Sequence, residues 1–195
     1  MKLLLYCTKA KPQMYRIWNG VYELVTDCET QSHCDFYGSL NGKIVGECDY
    51  EVEKIESRYI EHEYNELKEI CKKSCLSVFA LMNYARKDKF CFELSFYAIH
   101  IKNLVIYDTP RELKEYYNNE EKIKYINSVW ENYGLPDYDE YEEIQIKNAP
   151  QNMMYAFDGC GSPFVLISIR PQWLCKILNG EKTIEVRKKV LKEMM

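Results

Sequence analysis

Apolar residues recur along the chain in short bursts, and their spacing predicts many brief strands and helices instead of a few long elements. Lys2 to Thr8 is β-rich with little alternation, so it reads as a buried strand. Lys9 to Leu40 has no steady period and reads as a long irregular stretch. Asn41-Gly42 is a turn signal, and Lys43 to Glu53 then alternates as a strand does, with Ile44 on the buried face. Tyr64 to Lys73 suits a helix, and Ser77 is placed as the N-cap of a second one carrying Phe79, Leu81, Met82 and Tyr84. Phe90 to Tyr107 is strand material, split near Lys102-Asn103. Asp108 to Glu112 then opens a helix, with Thr109 as cap and Pro110 at its first position, ending near Asn118.

Glu120 to Trp130 is a further amphipathic helix, and Gly134 to Tyr141 is an acidic, turn-rich loop. Met153 to Phe157 and Phe164 to Ile169 read as strands around the Gly-rich connection Asp158-Gly159-Cys160-Gly161-Ser162-Pro163. Pro171 starts a helix whose Trp173, Leu174, Ile177 and Leu178 form the apolar face, Asn179-Gly180 ends it in a left-handed cap, and Lys182 to Lys188 returns as a strand. Strands mixed with short helices, without regular βαβ alternation, predict an α+β fold built on a small mixed β-barrel with the helices at its periphery.

Composition narrows the class. With 195 residues, 47% hydrophobic and 29% charged, the chain can bury a core without disulfide or metal staples. Residues 1–118 and 149–195 are expected to form a single domain, with 119–148 as a helical, acidic insertion. Leu3 to Cys7 is far too short for a membrane helix, and a cytoplasmic protein is expected. Nine cysteines, an odd number, read as reduced and mostly buried thiols. The net charge of −4 is unevenly spread: both ends are basic, whereas Glu47 to Glu69 and Asp137 to Glu143 are acidic. If the ends meet, one basic face lies on an acidic body.

The densest chemistry lies near the C-terminus. Lys182 follows the cap glycine, and Glu185 and Arg187, two apart on a strand, project to one face. Lysine, carboxylate and guanidinium meeting at a cleft can bind an anionic or amide-bearing ligand, the Glu orienting the Arg or accepting from a base edge. The alternative is a surface ion-pair ladder worth about 0–1 kcal/mol. Lys9 and Arg170, basic residues at strand ends, are candidate additions. Cys28, His33, Cys34 and Asp35 are zinc-ligand types without a paired second half, Cys71 and Cys75 being the one candidate complement, so neither metal nor cofactor is expected. His100 reads as a core histidine, and Cys7, Cys48, Cys91 and Cys175 as small core residues.

Gly180, Lys182, Glu185 and Arg187 meet the pattern G-x-K-x-x-E-x-R, and the strand–helix–strand unit around them resembles the signature of the ASCH family of PUA-like β-barrels. Leu5 to Lys9, Leu40 to Val45, Ser74 to Ser77, Tyr97 to Ile101 and Ala149 to Gln151 are similar to later segments of phage-type and Gram-positive members. In the family the signature unit comes first; here it comes last, so the chain resembles a circular permutant joined through Gly159-Cys160-Gly161. A domain followed by a truncated second copy is the competing account. The resemblance implies an RNA- or nucleotide-binding pocket built on Lys182, Glu185 and Arg187, in which Trp173 or Tyr6 would suit a single unstacked base. One hydrolytic branch uses a Lys that matches Lys182, but the Thr it needs is Glu185 here, leaving Lys182 and Glu185 as the candidate catalytic pair for a different acid–base step. Three functions follow in order: a binding module, a nucleoside-modifying or RNA-cleaving hydrolase, and an interaction protein that uses the acidic insertion to reach a partner.

Overall fold

In a computed structural model, the structure describes residues 1–8, 14–18, 21–25, 40, 42–58, 64–86, 93–133 and 138–195. The chain is α+β. Six strands, β1 (Lys2–Cys7), β4 (Lys43–Arg58), β5 (Glu93–Glu112), β6 (Met153–Phe157), β7 (Pro163–Ile169) and β8 (Ile184–Arg187), lie in the order β6-β7-β1-β4-β5-β8. The sheet is mostly antiparallel and open, with β6 and β8 as its ends. β2 (Met14–Trp18) and β3 (Val21–Val25) pair separately, Met14 opposite Val25 and Trp18 opposite Val21. The helices are α1 (Tyr64–Ser74), α2 (Val78–Ala85), α3 (Glu120–Tyr133), α4 (Tyr138–Ile144) and α5 (Pro171–Leu178). Among the described residues no helix is long and apolar enough to cross a membrane.

The chain divides into two compact units. The first contains residues 1–48 and 104–175. Its central strand β1 is buried on both faces, Leu3, Leu4 and Leu5 having no exposure, as expected where apolar residues run without alternation. β1 pairs in parallel with β7, Leu3 opposite Val165 and Leu5 opposite Ile167, and antiparallel with β4, Leu3 opposite Cys48. One core packs Leu4, Tyr6, Ile44, Tyr116, Ile146 and Leu166 together. A smaller one joins Ile123 and Ile126 of α3 to Ile144 of α4.

The second unit contains residues 49–103 and 176–195. β8 pairs antiparallel with β5, Ala98 opposite Val186 and His100 opposite Ile184. Ile184 and Val186 bury with Phe96 and Ala98 against Leu67, Ile70 and Cys71 of α1 and Leu81 and Ala85 of α2. Ser77 caps α2 as expected, its hydroxyl accepting the Ala80 N–H at 3.1 Å. Gly180 takes φ 73° just past α5, the left-handed conformation a C-terminal cap requires.

Three local expectations are corrected. The Thr109-Pro110 helix start is instead the end of β5, which runs unbroken through Lys102-Asn103 to Glu112 and gives way to a 3-10 turn, Leu113–Glu115. Pairing with β4 overrides the local signal, and side chains meet across the two strands in antiparallel sequence: Lys43–Glu112, Glu47–Tyr107, Glu51–Lys102 and Glu53–His100. Proline tolerates a strand end because its missing N–H is needed only inside a ladder. The stretch 9–40 carries the β2–β3 pair, whose sequence signal was Asn19-Gly20 between two β-prone runs. Part of the expected 134–141 loop is the first half of α4.

Gly46 marks a close approach of β4 to β5: a Cβ there would lie 2.4 Å from the Val105 carbonyl oxygen. Gly46→Ala is expected to lower stability by about 1–3 kcal/mol, as overpacking against backbone does, measured by urea denaturation.

Candidate functional site

α1 ends at Ser74 with its last carbonyls directed beyond the helix, where nothing within the helix can satisfy them. Lys182 supplies the donor. Its Nζ donates to the carbonyl oxygens of Ser74 and Ile184, each at 2.8 Å, and lies 3.3 Å from Glu185 Oε2. The side chain is only 3% exposed, and a cation at this end also suits the helix dipole. Glu185 turns its other oxygen, Oε1, to Arg187 Nε at 3.0 Å. The two residues share a strand face, as their spacing predicts, because Ile184 and Val186 point into the core. Burial lowers the Lys182 ammonium below its ordinary pKa, and the Glu185 carboxylate beside it pulls in the opposite direction.

Lys182, Glu185 and Arg187 therefore form one ionic knot in the second unit. Lys182 aims at three acceptors with the three donors an ammonium has, so it anchors the knot from inside. Arg187, partly buried at the end of β8, is the member nearest solvent. A cavity of about 660 Å³ in the same unit is walled by Glu53, Glu66, Glu69, Lys73, His100 and Ile184. Lys182, Glu185 and Arg187 are not among its walls. His100 is half-exposed and not a core residue: its Nε2 lies 3.1 Å from Glu53 Oε2, since it falls on the side of β5 facing Glu53 of β4.

The other candidates belong to the first unit or lie outside the described residues. Tyr6 is buried and lines a cleft of about 470 Å³ with Thr8, Lys114, Lys147, Asn148 and Gln151. Its hydroxyl is pushed above the ordinary phenol pKa chiefly by burial. The Arg170 carbonyl opens α5 by accepting the N–H groups of Trp173 and Leu174 at 3.0 Å, while its side chain is exposed. Trp173 is partly buried on α5. Lys9, Cys28, His33, Cys34, Asp35 and Cys91 lie outside the described residues. Cys7, Cys48, Cys71 and Cys175 are buried and in no disulfide, and burial raises the Cys71 pKa. Among the described residues no group of three or more His, Cys, Asp or Glu could hold a metal ion.

A polar group that sequence reasoning missed lies in the first unit. Glu47 on β4 pairs with Lys2 of β1 and accepts the Tyr107 hydroxyl of β5 at 2.8 Å. Arg111 stacks over the Tyr107 ring at 4.2 Å and donates to the Tyr116 hydroxyl at 3.0 Å. Its members are scattered from Lys2 to Tyr116, and no spacing rule connects them. Burial alone would raise the Glu47 carboxyl, but hydrogen bonds from Lys2 and Tyr107, with the charges of Lys2 and Arg111, outweigh it and hold the pKa below the ordinary value.

Comparison with family models, with curated proteins and with solved structures finds no match to the chain.

Removing one partner of a buried ion pair strands the other, so Lys182→Met is expected to cost about 3–5 kcal/mol. Adding Glu185→Gln in that background should recover part of the loss, and a denaturation cycle over the four proteins reads both. For Glu47, a carboxyl whose pKa is depressed in the fold contributes stability above its unfolded pKa and loses it as pH falls through the folded value. The stability gap between the parent and Glu47→Gln should therefore narrow once pH falls below about 4, as measured by urea denaturation across a pH series.

Proposed function

We propose that this chain is a binding module of the ASCH, PUA-like type, in circularly permuted order, that recognises RNA or a nucleotide-like ligand. Arg187 is the presented cation, Glu185 holds its guanidinium in place, and Lys182 anchors both from the interior. The observation that carries the reading is the convergence of these three signature residues at 3.3 and 3.0 Å. A guanidinium steadied by a carboxylate is suited to the planar, paired acceptors of a phosphate or a base edge.

The permuted order draws support from the pairing of the C-terminal unit. β7 lies in parallel along β1, and β8 lies along β5 of the same chain. An orphaned second copy would instead leave the apolar face of α5 uncovered, whereas Leu174, Ile177 and Leu178 are buried. The described strands form an open sheet, so the PUA-like order of elements and its closure into a barrel are both part of the proposal. Hydrolysis ranks second, because a lysine already directed at three acceptors is poorly placed to pass a proton to a substrate.

Fluorescence anisotropy with a labelled, short, single-stranded RNA of mixed sequence tests the reading. Binding should weaken steeply with added salt, and Arg187→Gln should weaken it by roughly ten- to a hundredfold, the range of a charge-assisted hydrogen bond. Absence of binding at low salt, or equal binding by the variant, overturns it.

A further inference from the structure

α2 follows α1, the helix whose end Lys182 closes, yet its outer face plays no part in the ionic knot. At about 100° per residue, Phe79, Asn83, Ala80 and Tyr84 fall in one arc of ~140° opposite Leu81 and Ala85, which are buried. All four are exposed: Phe79 is 75% open to solvent and Tyr84 39%. Two rings therefore flank a small residue and an amide on the surface of an eight-residue helix. A cation adjoins them. Lys188, directly after β8, donates its backbone N–H to the Tyr84 hydroxyl at 3.3 Å and holds its ammonium 5.4 Å from the Tyr84 ring centroid. Lys189 follows it on the exposed surface.

We infer that this face of α2 is a stacking platform for an unpaired base of single-stranded nucleic acid. Phe79 and Tyr84 offer π-faces, Asn83 offers an amide donor and acceptor to a base edge, and Lys188 neutralises the adjoining phosphate. The inference rests on the nucleic-acid reading above and adds the surface that takes the base. Exposed aromatics with cations beside them have the composition of single-strand grooves, in which stacking tolerates any base.

Charge selects this face over another aromatic one. α3 also exposes Tyr125 and Trp130, but the same helix carries Glu120, Glu121 and Glu131, and its lysines are engaged, Lys122 with Glu143 and Lys124 with Glu120. Phosphate is repelled there. At α2 the cation is placed against the ring itself.

The test uses the full chain, a short single-stranded RNA, and an abasic oligonucleotide of equal length, with circular dichroism to verify that each variant is folded. Phe79→Ala and Tyr84→Ala should each weaken RNA binding by about five- to a hundredfold, the range of base–aromatic stacking. Tyr84→Phe should keep nearly all of it, and Lys188→Gln should reduce the salt slope by about one. The abasic strand should bind weakly, and equally to the parent and the aromatic variants. If RNA binds the parent and the alanine variants alike, the platform is overturned and the nucleic-acid reading stands. The platform is equally overturned if those variants change only self-association in sedimentation, which makes the face a protein contact. If the parent binds no RNA, both readings fall together.

Discussion

From Leu3 to Cys7 β1 meets solvent on neither face, and a strand so placed can keep its backbone groups satisfied only with a partner along each edge. Neither partner is local. β4 arrives after a long intervening stretch, and β7 comes from near the far end of the chain. The first unit is consequently assembled from two separated stretches of sequence. The bare backbone of Gly46 lets β4 approach the neighbouring carbonyl of Val105, and a side chain there would push the strands apart.

In the second unit the corresponding constraint is ionic. Burying an ammonium is expensive unless its donors are all used, and Lys182 meets that condition by combining the end of α1, its own strand and Glu185. The carboxylate thus held is what steadies Arg187. A lysine that reads as a ligand contact in the sequence is in the fold a buried support for Glu185 and, through it, Arg187.

Elements whose cause is local were legible. The apolar run of β1, the Ser77 cap, the α5 stripe ending at Gly180 and the pairing of Glu185 with Arg187 all follow from spacing and capping chemistry within a few residues. Elements decided by distant pairing were not. Thr109-Pro110 carries a sound helix-start signal, but a strand that already shares a ladder with β4 gains more by extending it. His100 sits in a run that looks like core from one side, and only the register with β4 turns it toward Glu53.

The sequence by itself determined that the chain mixes strands with short helices, that its first strand is buried, and that Lys182, Glu185 and Arg187 fall at one turn and strand. These are consequences of period and of neighbour chemistry. Tertiary structure alone decided that Lys182 is an interior anchor, that Glu47 draws together Lys2 and Tyr107, and that Lys188 stands over Tyr84. Each of these joins residues with dozens of positions or more between them. Burial, which sets whether a charge is a contact or a support, exists only once the strands carrying them have packed.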